Sequence, residues 1–166
     1  GSDESILYLL QDMRAFELYG TVAAVVSICD SVNYITDDDD LVQVFQLVNN
    51  YLDPDGIFIF DLKTRNYYAG IGEAVIAEDR QECSFIWDNY FDESDNINEY
   101  QLSIFVKGED GRYDKFTEEH YQRAYSLEEI KQALEDAGLE FLTAYDAFTK
   151  NEAREENDRI YVIARK

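Results

Sequence analysis

Asp30, Ser31, Asn33 and Tyr34 follow an apolar run of strand length in the stretch VVSICDSVNYI, residues 25–35. Polar side chains at the carboxyl end of a parallel strand sit where open α/β sheets bind ligands, so these four suit a ligand rim. Asp30 and Ser31 also suit a plain turn, and Asn33 a helix cap. Asp61 ends a later apolar run, with Lys63 two residues on; they border a substrate pocket or simply close a strand. His120, the one histidine, lies in EEHYQRAY with Arg123 and Tyr125. Alternation along a strand puts His120 and Arg123 on opposite faces. Trp87, Tyr90, Phe91 and Tyr100 could line an acceptor wall or pack across strands. Cys29 and Cys83 show no metal-ligand spacing, and Cys29, with no histidine near it in sequence, reads as a small buried residue. No metal site is expected.

The elements that would position these groups are readable. Ile6–Leu10 and residues 22–29 are continuous apolar runs, the mark of strands buried on both faces. Asp37 to Asp40 precede Leu41, Val44, Phe45, Val48 and Leu52 at helical spacing, and four carboxylates suit the positive end of a helix dipole. LDPDG, residues 52–56, turns the chain into a third apolar strand ending at Leu62. Strand, helix and strand with short joints predict a parallel βαβ unit with a right-handed crossover. Residues 74–125 change character to alternating strands broken by Asp, Ser, Asn and Gly, which predicts an antiparallel meander with one wet face. A helix returns at SLEEIKQALEDAG, where Ser126 and Glu129 form a capping box and Gly138 ends it. EFLTAYDAF and RIYVIAR, joined by a polar segment, read as a final antiparallel pair.

Bulk composition bounds the partners. A chain of 166 residues with 46% hydrophobic content and 24 aromatic side chains supports one folded domain, residues 3–166. Gly1-Ser2 resembles the scar of a cleaved tag. The net charge of −22 repels phosphate backbones and anionic lipid, which argues against nucleic-acid or membrane partners. No stretch is apolar enough to cross a membrane, and two thiols without disulfide spacing suit a cytoplasmic protein.

The order of these segments resembles class I S-adenosylmethionine-dependent methyltransferases of the small bacterial type. LDPDG is similar to the family's L-x-P-G-G before its fifth strand, with Asp55 in place of the first Gly. GTVAAVVSICDSVNYI resembles the fourth strand and its active-site loop, and the last two strands resemble the family's closing pair. The resemblance implies an α/β, Rossmann-like sheet with an inserted antiparallel β subdomain at 74–125. It implies S-adenosylmethionine as cofactor, a small-molecule acceptor methylated on O or N, and Tyr34 and His120 in catalytic roles, His120 as base. Asp12, Met13 and Asp30 correspond to donor-binding positions, with Asp12-Met13 beside the adenine. Ser31, Asn33, Asp61 and Arg123 border the acceptor.

The family's glycine turn, G-x-G-x-G, does not occur in this sequence, nor does the acidic residue that holds the donor's ribose. The expectation is therefore a carboxyl-terminal portion with a truncated sheet, inactive alone. In the family order 3-2-1-4-5-7-6, Ile6–Leu10 would be the third strand, left about three strand spacings from the fourth. It would pair directly with residues 22–29, or that edge would meet another chain in a homodimer. The rival expectation is a non-enzymatic binding or assembly module working through the same edge.

Overall fold

The computed structural model describes residues 6–166; the tag remnant proposed at Gly1-Ser2 lies outside them. Strand β1 (Val22–Ser27) runs into a single 3-10 turn, Ser31–Tyr34, then helix α1 (Asp38–Tyr51) and strand β2 (Leu52–Lys63). β1 and β2 pair in parallel, Val25 opposite Phe58 and Ser27 opposite Phe60. The helix starts where Asp37 accepts the backbone N–H groups of Asp39 and Asp40, satisfying two of its free donors. Its stripe of Leu41, Val44, Phe45 and Val48 is buried. Phe45 packs on Phe58 and Phe60 of β2, with ring centres 5.6 and 5.3 Å apart.

Helix α2 (Arg65–Ile71) leads to four antiparallel strands, β3 (Ala74–Asp79), β4 (Cys83–Asp92), β5 (Ile97–Lys107) and β6 (Tyr113–Arg123), which form a second sheet in that order. Helix α3 (Leu127–Asp136) and strands β7 (Glu140–Asp146) and β8 (Arg159–Arg165) complete the chain. The capping box is present: Ser126 Oγ accepts from the Glu129 amide while the Glu129 carboxylate accepts from the Ser126 amide. Ile130, Ala133 and Leu134 of α3 join the buried face of α1 and β2 in one core. The first sheet has the order β1-β2-β8-β7 with β8 antiparallel to both neighbours. That order matches the 4-5-7-6 end expected from the resemblance, a Rossmann-like α/β sheet with an antiparallel sheet between β2 and α3.

Three expectations are corrected. Ile6–Leu10 is not a strand and all five residues are exposed. A strand exists only through a neighbour, and among the described residues β1 pairs with β2 alone. β1 and β2 are not buried on both faces: Phe58, Phe60 and Leu62 are buried under the helices, while Ile57 and Ile59 on the other side are half-buried and Val26 is exposed. β1 also ends at Ser27, so Cys29 is exposed rather than buried.

Candidate functional site

Two consecutive non-glycine residues in the left-handed region, Cys29 (φ 63°) and Asp30 (φ 52°), swing the chain off the end of β1. Such conformations are uncommon outside glycine and persist where surrounding contacts hold them. Asn33 supplies the hold. It is fully buried; its Nδ2 donates to the carbonyls of Lys63 (2.9 Å) and Arg123 (2.8 Å), and its Oδ1 accepts from the Lys63 amide at 3.0 Å. The turn is thereby pinned between β2 and β6, and Tyr34 is delivered to the second sheet.

There Tyr34 Oη lies 3.1 Å from His120 Nδ1 and 2.9 Å from Tyr100 Oη. His120 Nε2 lies 3.1 Å from Glu118 Oε2. A carboxylate only accepts, so in the neutral imidazole Nε2 carries the proton and Nδ1 accepts from Tyr34. Tyr100 stacks on the imidazole with ring centres 4.5 Å apart and planes 13° from parallel. Burial, then the Tyr34 contact, push the Tyr100 hydroxyl above its ordinary range; with the Tyr34 proton directed at His120 Nδ1, Tyr100 is the donor to Tyr34. One lone pair of Tyr34 Oη remains for a ligand N–H or O–H. The two residues expected to be catalytic, 86 positions apart in sequence, are in hydrogen-bond contact.

Tyr34 also lines a hollow of about 400 Å³ with Asp12, Met13, Ser31, Ile35 and Asp40. Asp12 accepts from the Arg14 amide at 2.9 Å and from its guanidinium at 3.0 and 2.7 Å. Those bonds hold the Asp12 carboxyl down to about 2. Arg14 reaches on to Asp40 at 3.1 Å, which fixes the floor of the hollow. Ser31 Oγ donates to the Ile28 carbonyl at 2.7 Å.

The remaining expected site residues are bonded to one another and to neighbouring elements. Asp30 does not line the hollow of Asp12 and Met13; its carboxylate accepts from Arg159 (2.8 Å), Gln122 (3.0 Å) and Lys63 (3.2 Å). Burial raises the Asp30 carboxyl, but these three partners outweigh it and the net direction is down. Asp61 is buried and accepts from the Arg159 guanidinium and, at 3.1 Å, from the Asp30 amide. Arg123 faces away from His120 and pairs with Asp38 (2.9 Å) and Glu129 (3.2 Å). Asn33, Asp61 and Arg123 are thus engaged in bonds between elements of the fold. Of the expected aromatic wall, Trp87 meets Tyr100 edge-on at 5.4 Å; Phe91 is buried against Tyr68, and Tyr90 is exposed on the opposite sheet face. Sequence reasoning missed Glu118, Gln122 and Arg159. Glu118 alone left a signal, since positions two apart on a strand share a face.

Among the described residues no cluster of three or more His, Cys, Asp or Glu is placed to hold a metal ion, and no helix is long and apolar enough to cross a membrane.

No protein-family model matches the chain. A Bacillus subtilis (strain 168) protein named "Putative methyltransferase YqeM" is 32% identical over 168 residues, which cover 99% of this chain and 67% of that protein. A Geobacillus sp. (strain WCH70) protein named in the same terms is 29% identical, covering 98% of this chain and 66% of its own. Among solved structures, a S-adenosylmethionine-dependent methyltransferase from Clostridium acetobutylicum ATCC 824 superposes with a TM-score of 0.86 at 30% identity, over 95% of this chain and 63% of that one. The CcbJ methyltransferase from Streptomyces caelestis shares the fold at 12% identity, with a TM-score of 0.78 over 95% of this chain and 66% of its own. The chain thus spans about two thirds of the length of these relatives.

Proposed function

The chain belongs to the S-adenosylmethionine-dependent methyltransferases, and on that premise we propose that it forms the acceptor side and the adenine wall of a site that methylates O or N of a small molecule. The observation that carries this reading is the double position of Tyr34, which lines the Asp12–Met13 hollow and bonds His120 across the sheet junction. The hollow suits the adenine end of the donor. Asp12 Oδ2 takes one bond from Arg14 and keeps a lone pair for an amine N–H, while Met13 and Ile35 offer apolar sides. When bound, the donor supplies an electrophilic methyl group on a sulfonium sulfur. The protein's part is alignment and proton removal. The acceptor's proton passes to Tyr34 Oη as the Tyr34 proton passes to His120 Nδ1, and the imidazolium so formed faces Glu118.

The donor's methionine and ribose ends need a close backbone approach and a carboxylate, and no G-x-G-x-G occurs in the 166 residues. Asp12 alone contributes about 1–3 kcal/mol, against about 4 kcal/mol for even millimolar affinity. We therefore infer that the chain requires the further third its relatives possess in order to hold the donor. Calorimetry checks this. S-adenosylmethionine should give no saturable heat with the chain alone at submillimolar concentration, and saturable heat with a fusion of this chain to the uncovered third of the Bacillus subtilis relative. A folded fusion that binds no donor would defeat the reading. Free thiols at Cys29 and Cys83 suit a reducing cytoplasmic setting.

A second reading is favoured by one observation: β1 has no partner on its outer edge among the described residues, and Val26 and Ile28 there are exposed. Under it the chain assembles with a second copy through that edge.

A further inference from the structure

We propose that the acceptor is an amine carried on an apolar body, with the body lying on the sheet face beyond His120 and the ammonium meeting Glu118. This rests on the methyl-transfer reading and narrows it. Directly opposed residues share a face of an antiparallel sheet, as do residues two apart on one strand. Tyr100 opposes His120, Leu102 opposes both Trp87 and Glu118, and Ile104 opposes both Phe85 and Phe116. In β3 the first row adds Ile76 and the second Glu78, so the two successive rows next to the Tyr34–His120 contact are apolar apart from Glu118 and Glu78, and Glu78 is bound by Arg80. Trp87, Leu102, Ile104 and Phe85 are half-buried, and Phe116 is exposed. The opposite face carries Asp88, Gln101 and Glu119 in the corresponding row, all exposed. In that row the sheet is polar on one side and, apart from Glu118, apolar on the side of His120. The wall is continuous with the reacting centre, because Trp87 touches Tyr100 and Tyr100 covers the imidazole.

Charge selects the group to be methylated. No lysine or arginine lies on that face within β3–β6: Lys115 opposes Phe105 on the other side, next to Thr117 and Ser103. The cations around the junction are committed, Lys63 and Arg159 to Asp30, Arg159 also to Asp61, Arg123 to Asp38 and Glu129, and Arg14 to Asp12 and Asp40. An anionic acceptor would find no counter-charge there, inside a field of −22. Glu118 is about half exposed (55%), and among the described residues only its Oε2 is engaged. Its Oε1 is free to receive an ammonium. Glu118 receives the ammonium on entry, and the amine nitrogen then leaves Glu118 for Tyr34 Oη, giving it one proton while the Tyr34 proton moves to His120 Nδ1. The freed nitrogen pair forms the C–N bond as the S–CH3 bond breaks, and sulfur keeps the bonding electrons.

The chain has one tryptophan and one histidine, so Trp87 emission and the His120 imidazole signal report on this face alone. The chain is titrated with 4-phenylbutylamine, 4-phenylbutyrate and 4-phenylbutanol. The expected result is saturable change in Trp87 emission with the amine at a Kd at least tenfold below that of either analogue, and collapse of that preference to under threefold in Glu118→Gln. The His120 signal should shift with the amine in both proteins, which shows that the variant is folded. Equal binding of the carboxylate or the alcohol, an undiminished preference in Glu118→Gln, or no saturable change would each overturn the proposal. Binding needs no donor, so the two readings separate. Amine selectivity without methylation by a donor-binding fusion defeats the transfer reading alone, and methylation of alcohols without amine selectivity defeats this one alone.

Discussion

Asp30 stands where a ligand-binding carboxylate would be sought, at the tip of a parallel strand, yet its charge is consumed by Arg159, Lys63 and Gln122. Gln122 in turn accepts from Tyr68 of α2 at 3.2 Å, so the network ties the first sheet to the second. Removing one member of a mostly buried ion pair leaves its partners uncompensated, at about 3 kcal/mol. Asp30→Asn should therefore destabilise the chain by about that amount at neutral pH. The folded-state carboxyl is lowered, so its contribution is complete above the unfolded value of about 3.9 and is lost as pH falls through the folded value. In urea denaturation, the gap between the parent and Asp30→Asn should shrink as pH falls below about 3.9. A gap constant with pH would show that the charge is not what stabilises. The sequence announced that residues 30–34 matter but not how they divide. Tyr34 went to the site while Asn33 went to the scaffold, because only the folded register shows which side chains already have partners.

Helix α3 shows how much an element can reveal in advance. Its Ser126–Glu129 box, buried Ile130, Ala133 and Leu134, and terminal Gly138 at φ 76° all follow from local sequence. Ser126→Ala removes the acceptor for the Glu129 amide and should cost about 1 kcal/mol. For a chain of this size that lowers Tm by about 2–4 °C, read in a thermal melt. A loss below a few tenths of a degree would mean that packing alone fixes the helix start. Helix α2 left a fainter trace, a Thr64 cap on the Tyr67 amide and Gly72 at its end. Its seven residues carry one fully buried side chain, Tyr68, which stacks near Phe91 at 5.8 Å, so tertiary contact makes the helix. The reverse failure is Ile6–Leu10, where strand-like composition meets no partner strand. Apolar periodicity reports what a segment would bury, and whether it buries anything is decided by its neighbours.

At the scale of the molecule, two properties oppose one another. A net charge of −22 drives copies apart. Among the described residues the outer edge of β1 has no partner strand, beside exposed Val26 and Ile28, and the exposed Ile6–Leu10 run adds apolar surface. Backbone pairing acts over hydrogen-bond distances, whereas repulsion between exposed charges is screened within about 8 Å at physiological salt and about 3 Å at 1 M. Salt should therefore tip the balance toward pairing through the edge. In sedimentation velocity the chain should remain a monomer at low salt and form a concentration-dependent dimer as salt is raised. Val26→Lys sets a charge against its own image on an isologous edge and should suppress that dimer. The fusion carrying the relatives' further third should stay monomeric under the same conditions, because added strands would cover β1. A strict monomer at high concentration and high salt would mean that the edge is closed by the chain itself, and the assembly reading would fall with it.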